Sequence, residues 1–212
     1  MPSISVIFGI EILDNELHSQ IFFIICKFWI FIVPTIWYLK VDKNIFSRAL
    51  PTIEGLKVGS LTGVGMSIII IITWLIFEKS INLEEMKGIL ESKGLSNFYL
   101  YIFGMLYWIF INSLLEEYVF RWFITTKASI LFGNDYYAII FSAFLFTLHH
   151  ALALYFFGFI FWQIFIASFG LLSAAAIWSW LYLKYQSIWV CWLSHAICDV
   201  VVFLIGYRIL FM

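Results

Sequence analysis

The chain has 212 residues, of which 64% are hydrophobic and 21% aromatic, while only 12% are charged. A soluble domain carries about a quarter charged residues, so this composition points to a polytopic membrane protein with little room for a separate soluble domain. The formal net charge of −1 and the scattered Lys and Arg exclude bulk attraction to nucleic acid, and argue against a basic patch for lipid headgroups or RNA.

In chain order, the first ten residues are apolar but too short to span, and read as an interfacial or re-entrant piece. No basic residue precedes them, and Glu11, Asp14 and Glu16 follow, which is not the order of a signal peptide. A bilayer core of about 30 Å takes roughly 20 apolar residues per helix. Six stretches come close to that length, at about 20–39, 58–77, 98–120, 136–157, 160–183 and 188–207. The breaks "KVDKNIFSRALPTIEGLK", "EKSINLEEMKGILESKG", "KASILFGND" and "KYQS" separate them. Spans four and five are divided only by Gly158. The second break has the charge pattern of a short amphipathic surface helix. The predicted fold is therefore all-α, a polytopic membrane helical bundle of about six transmembrane helices in a single membrane domain over 1–212. No internal repeat supports an inverted-repeat transporter.

Lys40, Lys43, Arg48, Lys57, Lys127 and Lys184 share one side of a six-span topology, and Lys79, Lys87, Lys93 and Arg208 share the other. The first set is expected to be cytoplasmic, with both termini outside. The expected location is the cell membrane, as a multi-pass protein. Cys26, Cys191 and Cys198 lie in apolar segments and read as buried small side chains, not as a disulfide framework or metal motif.

Ionisable residues inside a span are expensive and are functional candidates when partners can be named. Span three has Glu116, Glu117 and Arg121, span four has His149 and His150, and span six has His195 and Asp199. His18 lies outside the spans. Residues four apart share a helix face. Glu117 and Arg121 are so spaced and can pair along their helix, either as a structural clamp or as part of a site. Glu116 is turned about 100° from Glu117 and has no such partner within its helix. His195 and Asp199 form a shared polar face, which could equally be a plain interhelical link. His149 and His150 diverge by the same angle, so one of them faces the cluster. Phe146, four before His150, can pack beneath its ring. Glu84 and Glu85 are adjacent too, but in a polar loop, where they read as solvated.

A carboxylate in a low-dielectric site suits general base and then general acid work on water. Imidazole N–H groups aimed at one point can stabilise an oxyanion. Asp199 can orient His195, set its tautomer, or hydrogen-bond the water. That is the chemistry of amide hydrolysis. Two histidines and a carboxylate are also a zinc ligand set with an open position for water. A zinc site needs an acceptor behind each imidazole, and Asp199 is the one evident acceptor, so the expected mechanism requires no cofactor. The zinc alternative would use Glu116, His150 and His195. No H-E-x-x-H, G-x-S-G or G-x-G-D pattern occurs, which sets aside zincin, rhomboid and presenilin-like sites. A Cys–His nucleophile built on Cys191 or Cys198 with His195 would leave Glu116 unexplained.

"EEYVFR" at 116–121, "FTLHH" at 146–150 and "HAICD" at 195–199 match E-E-x-x-x-R, F-x-x-x-H and H-x-x-x-D/N. In this order on successive membrane helices they resemble the CPBP family, which comprises CAAX prenyl endopeptidases and the bacteriocin-processing or immunity (Abi) proteins. The resemblance covers about 98–207, with 1–97 as variable N-terminal spans. It implies an intramembrane endopeptidase in which Glu116 activates water and His150, His195 and Asp199 complete the site, supported by Glu117, Arg121 and Phe146. It favours His150 over His149, because Leu145 stands where a phenylalanine would be needed for His149. Where the family often has asparagine at the last position, this chain has Asp199. The expected partners are a peptide or protein substrate at the membrane, such as a bacteriocin or signalling precursor, and the bilayer itself, with no nucleic acid. The competing classes are a non-catalytic immunity or scaffold protein, and a small transporter using Glu116 and the histidines as a proton relay.

Overall fold

The computed structural model describes residues 16–43, 49–92 and 94–212. The proposed interfacial piece at the N-terminus lies outside the described residues. Described elements are all helical. They are α1 (Glu16–Ile36), α2 (Ile53–Phe77), α3 (Leu83–Ser92), α4 (Phe98–Tyr107), α5 (Ser113–Glu117), α6 (Thr126–Phe132), α7 (Asp135–Phe156), α8 (Phe161–Tyr185) and α9 (Ile188–Phe211). Wider π-helical turns occupy Trp37–Val41, Trp108–Asn112 and Tyr118–Thr125. Six helices are long and apolar enough to cross a membrane, as expected.

Two boundaries differ most from the sequence reading. Helix α2 starts at Ile53 rather than near residue 58, because the Thr52 hydroxyl caps it by accepting from the Gly55 N–H at 3.0 Å. The third span continues to Phe132, 35 residues in all, although "KASILF" read as a break. Lys127 does not interrupt it, being ion-paired to Asp42. The helix ends at Gly133, whose left-handed φ of 61° terminates it before the next cap, Asn134. The weakly marked junction of spans four and five does fall at Gly158, at φ 85°. The surface helix forms as α3, with Glu84 and Glu85 exposed and Met86 buried.

The chain divides into two compact units. One comprises 1–49 and 118–179, the other 50–117 and 180–212. In the second unit α2 lies along α9 over its length. Gly55, Gly59, Gly63 and Ser67 form a small-residue stripe at four-residue spacing, all buried. A Cβ on Gly59 would stand 2.6 Å from the Val190 carbonyl oxygen, and one on Gly63 would stand 2.8 Å from that of Ser194. Backbone contact this close is how membrane helices gain packing energy where lipid removes the hydrophobic drive. Thr62 bonds Ser194 at 3.1 Å, and the Ser67 hydroxyl donates to the Ile197 carbonyl at 3.2 Å. These contacts bracket His195 and fix the backbone that carries it.

In the first unit the π segment Tyr118–Thr125 packs on α7 and α1. Its widened turn presents the Phe120 carbonyl to two hydroxyls, those of Thr125 and Ser142, each at 2.8 Å. In a membrane helix such side-chain bonds re-satisfy backbone that leaves the α pattern.

Candidate active site

The second unit gathers Glu116, Glu117, His195 and Asp199. Helix α5 supplies the two glutamates and α9 the other pair. His195 Nδ1 lies 2.8 Å from Glu117 Oε1. Its Nε2 lies 3.5 Å from Asp199 Oδ1 and 3.9 Å from Glu116 Oε2. An ionised carboxylate only accepts, so the Glu117 contact puts a proton on Nδ1 and leaves Nε2 as the atom facing the other two acids. Glu117 has no exposed side-chain surface, whereas Glu116 keeps 14% and Asp199 22%. The adjacent glutamates thus have different settings. One holds the ring at Nδ1, and the other keeps some exposed surface.

Two expectations are revised by this geometry. The orienting partner of Nδ1 is Glu117, a role the sequence reading left to Asp199, which instead flanks Nε2. Glu116 also has a neighbour in its own helix: Asn112 Nδ2 donates to Glu116 Oε1 at 2.7 Å. Asn112 carries no charge to mark it in the sequence, although its four-residue spacing from Glu116 is a readable signal.

The first unit holds Arg121, Phe146, His149 and His150. The Phe146 and His150 rings lie 4.2 Å apart at 30°, with Phe146 fully buried, as the four-residue spacing predicts. His150 Nδ1 lies 3.0 Å from the Phe146 carbonyl oxygen, which again only accepts and so marks Nδ1 as the protonated nitrogen. His149 meets the His150 ring edge-on at 5.1 Å. The fully buried Arg121 guanidinium lies 4.6 Å from the Phe146 ring centroid and 5.2 Å from that of Trp178. Such cation–π contacts are worth about 0.5–2 kcal/mol each, the upper end when water is excluded.

These contacts also revise the argument against zinc. Each imidazole does have an acceptor behind Nδ1, Glu117 for His195 and the Phe146 carbonyl for His150. The objection that only Asp199 could serve therefore falls. Among the described residues no three His, Cys, Asp or Glu side chains are grouped so as to hold an ion. The three cysteines are buried free thiols.

Residues 98–201 match the Rce1-like family, described as Type II CAAX prenyl endopeptidase Rce1-like. No curated protein and no solved structure matches the chain. The family match agrees with the resemblance carried by the three motifs. It contains every candidate residue named above and begins at the first residue of α4. Helix α2, which braces α9, lies outside it.

Proposed function

Because residues 98–201 match the Rce1-like family of type II CAAX prenyl endopeptidases, we propose that Glu116 activates water against a peptide bond of a membrane-associated or hydrophobic substrate. The observation that supports this is the unequal setting of the two adjacent acids. Glu117 is enclosed and committed to His195, while Glu116 is partly exposed with Oε2 on the Nε2 side of the ring. A general base must be reachable by the water it deprotonates. Glu116 takes a proton from water as its oxygen bonds to the carbonyl carbon. The resulting carboxylic acid returns that proton to the departing nitrogen as the C–N bond breaks. His195, as an imidazolium, keeps Nδ1–H on Glu117 and donates from Nε2 to the oxygen that becomes negative. Asp199 accepts from Nε2 or from the attacking water. His150 is assigned as a second donor on the resemblance alone. The reaction as written has no metal-dependent step.

The test uses purified protein in lipid nanodiscs and two internally quenched peptides. One carries a farnesylated CAAX end, and the other is hydrophobic and unprenylated. Wild type is expected to cleave at least one, with products identified by mass spectrometry, and activity is expected to survive exhaustive chelation. Loss on chelation with recovery on adding zinc would replace this mechanism by a zinc hydrolase. Cleavage of neither peptide, in protein shown to be folded, counts against the endopeptidase reading.

A further inference from the structure

We propose that Asn112 is a positioning residue that fixes the rotamer of Glu116, an inference that rests on Glu116 being the base. Asn112 stands in the apolar run "YWIFINSLL" and is buried. A buried amide in an apolar segment is costly unless its polar atoms are bonded. Here Nδ2 donates to Glu116 Oε1 at 2.7 Å, the short distance of a hydrogen bond to a charged acceptor.

The local backbone sets up this contact. The π turn Trp108–Asn112 is closed by the Ser113 N–H on the Trp108 carbonyl, and α geometry resumes at Ser113. Asn112 is the last residue of the wide turn, four before Glu116 at the spacing that stacks side chains on one face. π turns of this kind recur at functional sites, where they re-aim a side chain. With Oε1 engaged, the carboxylate cannot spin freely about its last bond. Oε2 is left on the side of His195 Nε2, 3.9 Å away. The oxygen that must take a proton is thereby separated from the oxygen that anchors the group. Asn112 touches neither substrate nor water in this scheme and acts only through Glu116.

The experiment has two arms. Infrared difference spectra, each variant minus its Glu116→Gln counterpart, isolate the Glu116 carboxylate stretch without any substrate. Asn112→Leu is expected to shift that band, and Asn112→Gln, which keeps the amide donor, to leave it near its wild-type position. An unmoved band in Asn112→Leu overturns the proposal whatever the enzymology shows. In the second arm, with the farnesylated CAAX peptide, Asn112→Leu is expected to lower kcat about tenfold to hundredfold, the range of a hydrogen bond to a charged group. KM should stay within about twofold, since the step lost lies in the transition state. Asn112→Gln should recover most of the rate. Equal loss in both variants, or a change in KM alone, overturns the positioning role. Should Asn112→Leu fail to fold, Asn112→Ala removes the amide donor with a smaller side chain and is expected to show the same kcat loss. If wild type cleaves neither this peptide nor the unprenylated one, the endopeptidase reading fails, while the infrared arm still decides whether Asn112 holds Glu116.

Discussion

Each of the two compact units holds a histidine by Nδ1, and they do so with different chemistry. In the second unit the holder of His195 is the side-chain carboxylate of Glu117 at 2.8 Å. In the first it is the backbone carbonyl of Phe146 at 3.0 Å, with that residue's ring stacked on the imidazole. A carboxylate can be removed by one substitution and carries a charge that can stabilise an imidazolium. A carbonyl survives any change of its side chain and offers only a dipole. His195 is therefore held by a group whose charge can stabilise an imidazolium, and His150 by one that offers a dipole alone. The lesson is that two histidines in one chain need not share a role merely because both face polar partners.

The sharpest way to break this contrast begins with Glu116. Glu116→Gln keeps the shape but cannot take a proton, and cleavage of a peptide that wild type turns over should fall about 10²- to 10⁴-fold. The protein should still insert, with an unchanged melting profile. Wild-type turnover in this variant would remove the assignment.

Next come the paired histidines. His150→Ala should lower kcat about 10²-fold if it donates to the oxyanion, while His149→Ala should leave the rate within about threefold. Side-by-side peptide assays and detergent melting curves check this. A dead His149→Ala with an active His150→Ala would mean that the Phe146 spacing selected the wrong ring.

The supports should then separate. Glu117→Gln replaces a buried carboxylate that orients His195, and is expected to reduce kcat about tenfold to hundredfold and to lower thermal stability as well. Phe146→Leu leaves the carbonyl that holds His150, so kcat should change less than about tenfold. Its main effect should be a stability loss of about 1–2 kcal/mol from lost ring packing against Arg121 and Trp178. If Phe146→Leu damages kcat more than Glu117→Gln, the distinction between the two supports fails.

The smallest expected effects test the bracing of the His195 helix from outside the family match. Gly59→Val must displace the Val190 carbonyl, and should destabilise by about 1–3 kcal/mol as overpacking does. Gly65→Ala, four ångströms or more from any neighbour, should be neutral or slightly stabilising. Equal melting temperatures for the two would mean that the stripe does not brace α9.

The sequence by itself determined whatever depends on length, composition and helical period. Six spans follow from apolar run length, and their order and class agree with the structure. The pairs His195–Asp199 and Phe146–His150 were readable because a helix places residues four apart on one face wherever it sits in the fold. The same rule makes Asn112–Glu116 and the Gly55, Gly59, Gly63 stripe readable, although neither Asn112 nor the glycines carry a charge that marks them. Only the tertiary structure decided that Glu117 serves His195, because that partner lies 78 residues away and no local periodicity encodes it. The π turns at Trp108–Asn112 and Tyr118–Thr125 were likewise out of reach. A π turn and an α turn differ little in local propensity, and the wider form persists only where packing and side-chain bonds such as Ser142 to the Phe120 carbonyl reward it. Residue identity and helical period thus marked the candidate groups and their local partners, while the contact between distant helices decided which nitrogen His195 turns to Glu117.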